Sequence, residues 1–185
     1  MAEKLSEKIY NCIKTEIENG QFDAREFFSE AQLAEKYTVS KATIRDALHL
    51  LVGEGFLVSY HRKGYMVNSF SIEEINQIQT IRRSMEHLSA ELVIRNASDE
   101  EIRGLYGLIS PEGRSDANRA FHLEIAKISG NKYLPEALGG FLSKIYVAMH
   151  NDKVDVERHR AIVEALLARD LDRAVACIND DIIFL

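Results

Sequence analysis

With 185 residues, 46% of them hydrophobic and 28% charged, and only two prolines, the chain can bury one large core or two small ones, and its composition excludes a disordered or low-complexity protein. The N-terminus has no apolar signal core and no run approaches about 18 uninterrupted apolar residues, which predicts a cytoplasmic protein with no membrane partner; Cys12 and Cys177 are the only cysteines, too few for a disulfide framework, and are expected to be core thiols. The net charge of −6 argues against nucleic acid, yet residues 36 to 63 set Lys36, Lys41, Arg45, Arg62 and Lys63 against only Asp46 and Glu54, a local basic excess suited to phosphates.

Leu5, Ile9, Ile13 and Ile17 recur every four residues, with Cys12 read onto the same face and Gly20 at the C-cap, so a first helix is expected over about 3 to 19. Ser29-Glu30-Ala31-Gln32 reads as a capping box opening a short second helix to Tyr37, which Thr38-Val39 breaks. Ser40 can N-cap a third helix with an inward stripe of Ile44, Ala47, Leu48 and Leu51 ending at Gly53 and Gly55. Two short helices with a tight turn between them suggest a helix-turn-helix. The period then changes to Phe56-Leu57-Val58-Ser59-Tyr60 and Tyr65-Met66-Val67 around the polar His61-Arg62-Lys63-Gly64, which predicts a β-hairpin wing with a basic tip.

Ser71-Ile72-Glu73-Glu74 forms another capping box, followed by Ile75, Ile78, Arg82, Met85, Leu88 and Leu92 at helical spacing to near Ile94. The boundary is therefore placed at residues 69/70, giving a DNA-binding domain over 1–69 and a second domain over 70–185. Helices are expected from Ser98 to Ile109, from Ala117 to Ile128 before Gly130-Asn131, from about Tyr133 to Met149, and in two further segments separated near Arg169-Asp170. Six helices without a strand pattern predict an antiparallel bundle, so the fold class is mainly α, a winged helix-turn-helix of three helices plus hairpin followed by an all-α bundle.

A helix-turn-helix lays its second helix in the major groove, so side chains near that helix's N-terminus reach base edges and phosphates. Here those are Ser40, Lys41, Thr43 and Arg45. Arg and Lys suit guanine O6 and N7, while Ser and Thr suit phosphate or bases. The tip His61, Arg62, Lys63 and Gly64 is placed to enter the minor groove, Gly64 permitting a tight turn and close approach. A helical hairpin with a solvated basic face is the competing reading of the same residues.

Leu33-Ala34-Glu35-Lys36-Tyr37-Thr38-Val39-Ser40-Lys41-Ala42-Thr43-Ile44-Arg45-Asp46-Ala47-Leu48, with Leu51, Glu54-Gly55 and Gly64-Tyr65-Met66-Val67, resembles the GntR family signature. Phe22-Asp23-Ala24-Arg25 departs from it, standing where that family usually has a Pro-Gly turn. Ile81-Arg82-Arg83-Ser84-Met85-Glu86, Asn118-Arg119-Ala120-Phe121-His122 and Arg158-His159-Arg160-Ala161-Ile162 resemble the FCD effector domain of the FadR branch. The resemblance implies a homodimeric transcription regulator that binds double-stranded operator DNA and whose affinity is controlled by a small metabolite, an organic acid being expected.

It also implies a divalent metal site, of Zn, Ni or Mn, at Asn118, His122 and His159, with Asp181 where a third His is usual. Spacing agrees for the first two, since residues four apart share a helix face, and imidazole and oxygen donors suit such ions. Arg82, together with Asn118, His122 and His159, is implied for the effector, its planar fork matching a carboxylate. His49, His87 and His150 carry no comparable pattern. Two other function classes use the same residues differently: a metal-dependent hydrolase, for which no general base is evident beside the metal, and an architectural DNA-binding dimer without effector.

Overall fold

The protein is described by a computed structural model over residues 4–109, 115–149 and 155–185; His150 lies outside them. The chain divides into two compact units, residues 1–70 and 71–185.

In the first unit α1 (Leu5–Glu18), α2 (Glu30–Tyr37) and α3 (Lys41–Gly53) precede a hairpin of β1 (Leu57–Tyr60) and β2 (Gly64–Val67). Ile9, Ile13 and Ile17 of α1 pack on α3, whose Ile44, Ala47, Leu48 and Leu51 are buried. The stripe is narrower than the sequence suggested: Leu5 and Cys12 are exposed, because Cys12 lies about 100° around the helix from Ile13. Cys177 is half-buried. Ser29 and Gln32 form the reciprocal box at α2, whose end is marked by Thr38 at φ 56°. In the loop before α2 an Asx turn replaces the family's Pro-Gly: the Arg25 amide donates to Asp23 Oδ1 at 2.8 Å.

Phe56 and Leu57 carry the core into the hairpin, which pairs Leu57 with Val67 and Tyr60 with Gly64. Phe28 adds a third pairing to its edge, its amide donating to the Tyr65 carbonyl and the Tyr65 amide to the Phe28 carbonyl, both at 2.9 Å.

The second unit comprises α4 (Ile72–Asn96), α5 (Asp99–Gly104), a 3₁₀ turn (Leu105–Leu108), α6 (Ser115–Ile128), α7 (Leu134–Met149), α8 (Val156–Leu167) and α9 (Leu171–Asp181). Ser71 with Glu74 makes the expected capping box, and Ser98 with Glu101 makes a second of the same kind; the helix expected from Ser98 to Ile109 is α-helical only to Gly104 and continues as the 3₁₀ turn. The 25-residue α4 touches α6, α7, α8 and α9. Phe121, Ile125, Ile162, Val163, Leu166 and Ile178 fill the apolar core beside it. Among the described residues no helix is long and apolar enough to cross a membrane.

The buried face of α4 departs from the apolar template. Ile75, Gln79, Arg82, Glu86, Ser89, Ala90 and Val93 point inward, while Ile78, Met85 and Leu92 are half-buried and Leu88 is 41% exposed. The long helix turns a polar seam into the bundle, and that seam positions the site.

Candidate functional site

Ser40 caps α3 with its own side chain, its Oγ accepting from the Thr43 amide at 3.1 Å and lying 2.9 Å from Thr43 Oγ1. Lys41 and Arg45 follow one turn apart on the exposed face of α3. Arg45 donates from Nε to Glu30 Oε1 at 2.9 Å and from Nη2 to Oε2 at 2.7 Å, a bidentate pair, and the Tyr65 hydroxyl donates to Glu30 Oε1 at 3.4 Å. The Arg45 bond holds the Glu30 carboxyl below its ordinary range.

At the wing tip the Lys63 amide donates to the Tyr60 carbonyl at 3.1 Å, and Arg62 takes a left-handed backbone at φ 61°. The Lys63 ammonium lies 5.6 Å from the Phe27 ring centroid. Lys41, Arg45, His61, Arg62 and Gly64 line one open cleft of about 490 Å³ between α3 and the hairpin, whereas Ser40, Thr43 and Lys63 stand outside its lining. Gly64 has a reason internal to the fold: at φ 106° a Cβ there would meet the Phe28 carbonyl oxygen at 2.4 Å.

In the second unit four helices deliver polar groups to one buried point. Arg82, Glu86, Asn118, His122 and His159 are each less than 5% exposed, and the Asp181 side chain is 8% exposed. Asp180, one residue earlier, is exposed, so the end of α9 turns Asp181 inward. Arg82 Nε donates to Glu86 Oε1 at 2.6 Å, and its Nη2 is 3.6 Å from Asp181 Oδ2. His122 Nδ1 lies 2.9 Å from Glu86 Oε2, its Nε2 3.1 Å from Asp181 Oδ2, and His159 Nε2 3.5 Å from Asp181 Oδ1. None of these imidazole contacts is aligned as a hydrogen bond. One donor atom from each of His122, His159 and Asp181 falls within 4.8 Å of the others. Asn118 is buried one turn before His122 on α6, and Phe121 stacks on the His159 ring at 4.1 Å between centroids.

Burial alone lowers the His122 imidazolium, but the Glu86 charge, aided by Asp181, holds it up at about 9. Burial and the neighbouring His122 charge bring His159 down to about 4. Burial raises Glu86 and Asp181, yet Arg82 and His122 at the first, and His122 at the second, hold both at about 2. At neutral pH two cations, Arg82 and His122, therefore balance two anions, while His159 keeps a free lone pair.

The FCD domain model matches residues 77–183, more than half of the chain, and the model of the bacterial regulatory proteins of the gntR family matches residues 5–67. The chain belongs to the GntR family of transcription regulators. Its relatives include the uncharacterized HTH-type transcriptional regulator YdhC of Bacillus subtilis, 29% identical over 90% of this chain and 83% of that one. The HTH-type transcriptional repressor GlaR of Escherichia coli is 29% identical over 89% and 86%. Among solved structures, E. coli McbR/YncC superposes with a TM-score of 0.81 at 19% identity, covering 98% of this chain and 94% of that one. YdhC and GlaR are named as transcription regulators rather than enzymes, and this GntR protein shares the fold of McbR/YncC.

Three residues of these sites in this GntR regulator, Gln79, Glu86 and Glu30, are not among the site residues expected from the sequence. Glu86 lies four residues after Arg82 and Gln79 three before it, so all three share the buried face of α4; charged residues recurring at helical spacing on one helix were the available signal. Glu30 met Arg45 from 15 residues away, a pairing that no local pattern announces.

Proposed function

We propose that this GntR regulator acts in the cytoplasm as a homodimer on palindromic operator DNA, and that a small organic acid bound in the helical unit controls its affinity. The observation that carries the second half is the buried cluster of Arg82, Glu86, His122, His159 and Asp181. Replacing buried ion pairs by apolar side chains is often neutral or stabilising, so a purely architectural bundle has no use for one, and perturbed titratable groups gathered in one place favour a working site.

The donor set suits a divalent ion: the fully buried ring nitrogens of His122 and His159 have no aligned hydrogen-bond partner, and a carboxylate oxygen lies beside them. Asn118, His122, His159 and Asp181 would hold it, and its charge would anchor an effector carboxylate. To take part, His122 gives up its proton, and Glu86 then fixes the ring from the Nδ1 side. Exchanging that proton for a divalent charge leaves the cluster one positive charge in excess, which a monocarboxylate restores to balance. Arg82 is the second anchor, its fork turning from Asp181 toward the effector. Effector binding then biases the placement of the two DNA-reading units, and so operator affinity.

Metal content after purification without chelator, and melting with and without chelator, test the site. Wild type and Asp180→Ala should melt higher with added Zn, Ni or Mn, and Asp181→Ala should not, since metal bound only to the folded state stabilises it by mass action. A wild-type protein that carries no metal and responds to none of the three ions contradicts the metal reading.

A further inference from the structure

We propose that Glu30 is a positioning residue for sequence reading: it grips one edge of the Arg45 guanidinium so that the other edge faces the base. The proposal rests on the reading of α3 as the recognition helix. A guanidinium carries five N–H donors in a rigid planar fork. Glu30 takes the Nε edge, with Nε at 2.9 Å from Oε1 and Nη2 at 2.7 Å from Oε2. The outer edge, shared by Nη1 and Nη2, stays available, and it is this pair of parallel donors that matches guanine O6 and N7.

Arg45 is otherwise a long side chain on an exposed helix face, 52% accessible, free to swing between bases and phosphates. Two bonds to one carboxylate fix both its reach and the plane of its fork. The carboxylate is itself held: Glu30 is the first residue of α2, fixed by the Ser29 box, and the Tyr65 hydroxyl of β2 reaches its Oε1 at 3.4 Å. Helix α2, the recognition helix and the wing thus meet at Glu30.

Two simpler uses of Glu30 fall short. As a stabiliser it is weak, because exposed ion pairs contribute little to folding. As a contributor to affinity it has the wrong sign, since a carboxylate lining the basic cleft repels phosphate. Orientation is the use that requires a negative, two-oxygen group at this place.

The test takes full-length protein and two duplexes of equal length, one selected by the wild type from a random library and one of random sequence, with affinities measured at one salt concentration. Glu30→Gln keeps the shape and removes the charge. It should hold the random duplex as well as wild type or slightly better, and lose about tenfold or more on the selected duplex, the scale of one bidentate base contact. Scanning the selected duplex base by base should show preference lost at the guanine that Arg45→Ala also ceases to read. Glu30→Asp, which keeps the charge one methylene further back, should fall between. The proposal is overturned if Glu30→Gln retains the ratio of the two affinities while Arg45→Ala loses it. It is equally overturned if Glu30→Gln weakens both duplexes alike with a lower melting temperature, which marks a structural role. If Arg45→Ala itself keeps the ratio, the recognition-helix reading fails first.

Discussion

Glu86→Gln probes the electrostatics of the buried cluster most sharply, because it removes one charge with almost no change of shape. In the wild type the two Glu86 oxygens serve different cations, Arg82 Nε at 2.6 Å and His122 Nδ1 at 2.9 Å. The variant takes this carboxylate away from both cations, and breaking a buried pair from one side costs about 3–5 kcal/mol. Part of that cost depends on pH. His122 rises from its ordinary 6.5 to about 9 in the folded protein, a linkage on the order of 3 kcal/mol, of which Glu86 supplies the larger share. A raised imidazole stabilises the fold fully below about pH 6.5 and ceases to do so as pH climbs through 9. Glu86 itself, held at about 2, contributes fully above its ordinary 4.5. The deficit of the variant should thus be greatest between about pH 5 and 6.5 and shrink by roughly 2 kcal/mol toward pH 9.5, leaving the pH-independent Arg82 part. Urea unfolding of both proteins in chelator, followed by helical circular dichroism at the two pH extremes, measures it. A deficit that is equal at both, or larger at pH 9.5, refutes the charged His122–Glu86 contact.

Zinc binding at pH 7 should release close to one proton per site, because His122 begins protonated; calorimetry in two buffers of different ionisation enthalpy reads it, and zero release contradicts the assignment. Gly64→Ala should lower the stability of the DNA-binding unit by about 1–3 kcal/mol, the cost of a strained backbone position, and weaken binding to every duplex. A neutral Gly64→Ala variant would mean that the 2.4 Å approach to Phe28 relaxes without cost. Lys63→Ala should weaken binding uniformly across sequences and reduce the salt slope by about one phosphate contact, as an isothermal series in salt would show. A sequence-dependent loss in that variant would move Lys63 from backbone to base contact.

Much of the fold was legible because it rests on local chemistry. The Ser29 and Ser71 boxes, the Ser40 cap and the change of period after Gly55 each act within a few residues, and the helices they open begin where expected, whereas the segment after Ser98 leaves the α conformation at Gly104 instead of running on to Ile109. The inward face of α4 was not, since a template that counts only apolar residues follows Met85, Leu88 and Leu92 and passes over Gln79, Glu86 and Ser89, which are the buried ones. Cys12 failed the same way from the other side: apolar composition put it in the core, and one step of helical phase takes it out. Asp181 reached the cluster at the phase expected of it. The Phe28–Tyr65 bridge, the need for glycine at 64 and the Glu30–Arg45 fork depend on contacts between distant parts of the chain, and periodicity carries no record of those.

The control of DNA affinity from the buried cluster is tested most directly by titrating a library-selected duplex with zinc-loaded wild type in the presence of a panel of short mono- and dicarboxylates, alongside Arg82→Ala and Asp181→Ala. At least one carboxylate should shift the wild-type affinity by about tenfold or more, equivalent to a coupling of roughly 1.4 kcal/mol, and leave both variants unmoved although they bind the duplex normally without it. A shift of the same size in either variant, or no shift with any carboxylate, contradicts control through Arg82 and the His122–His159–Asp181 cluster.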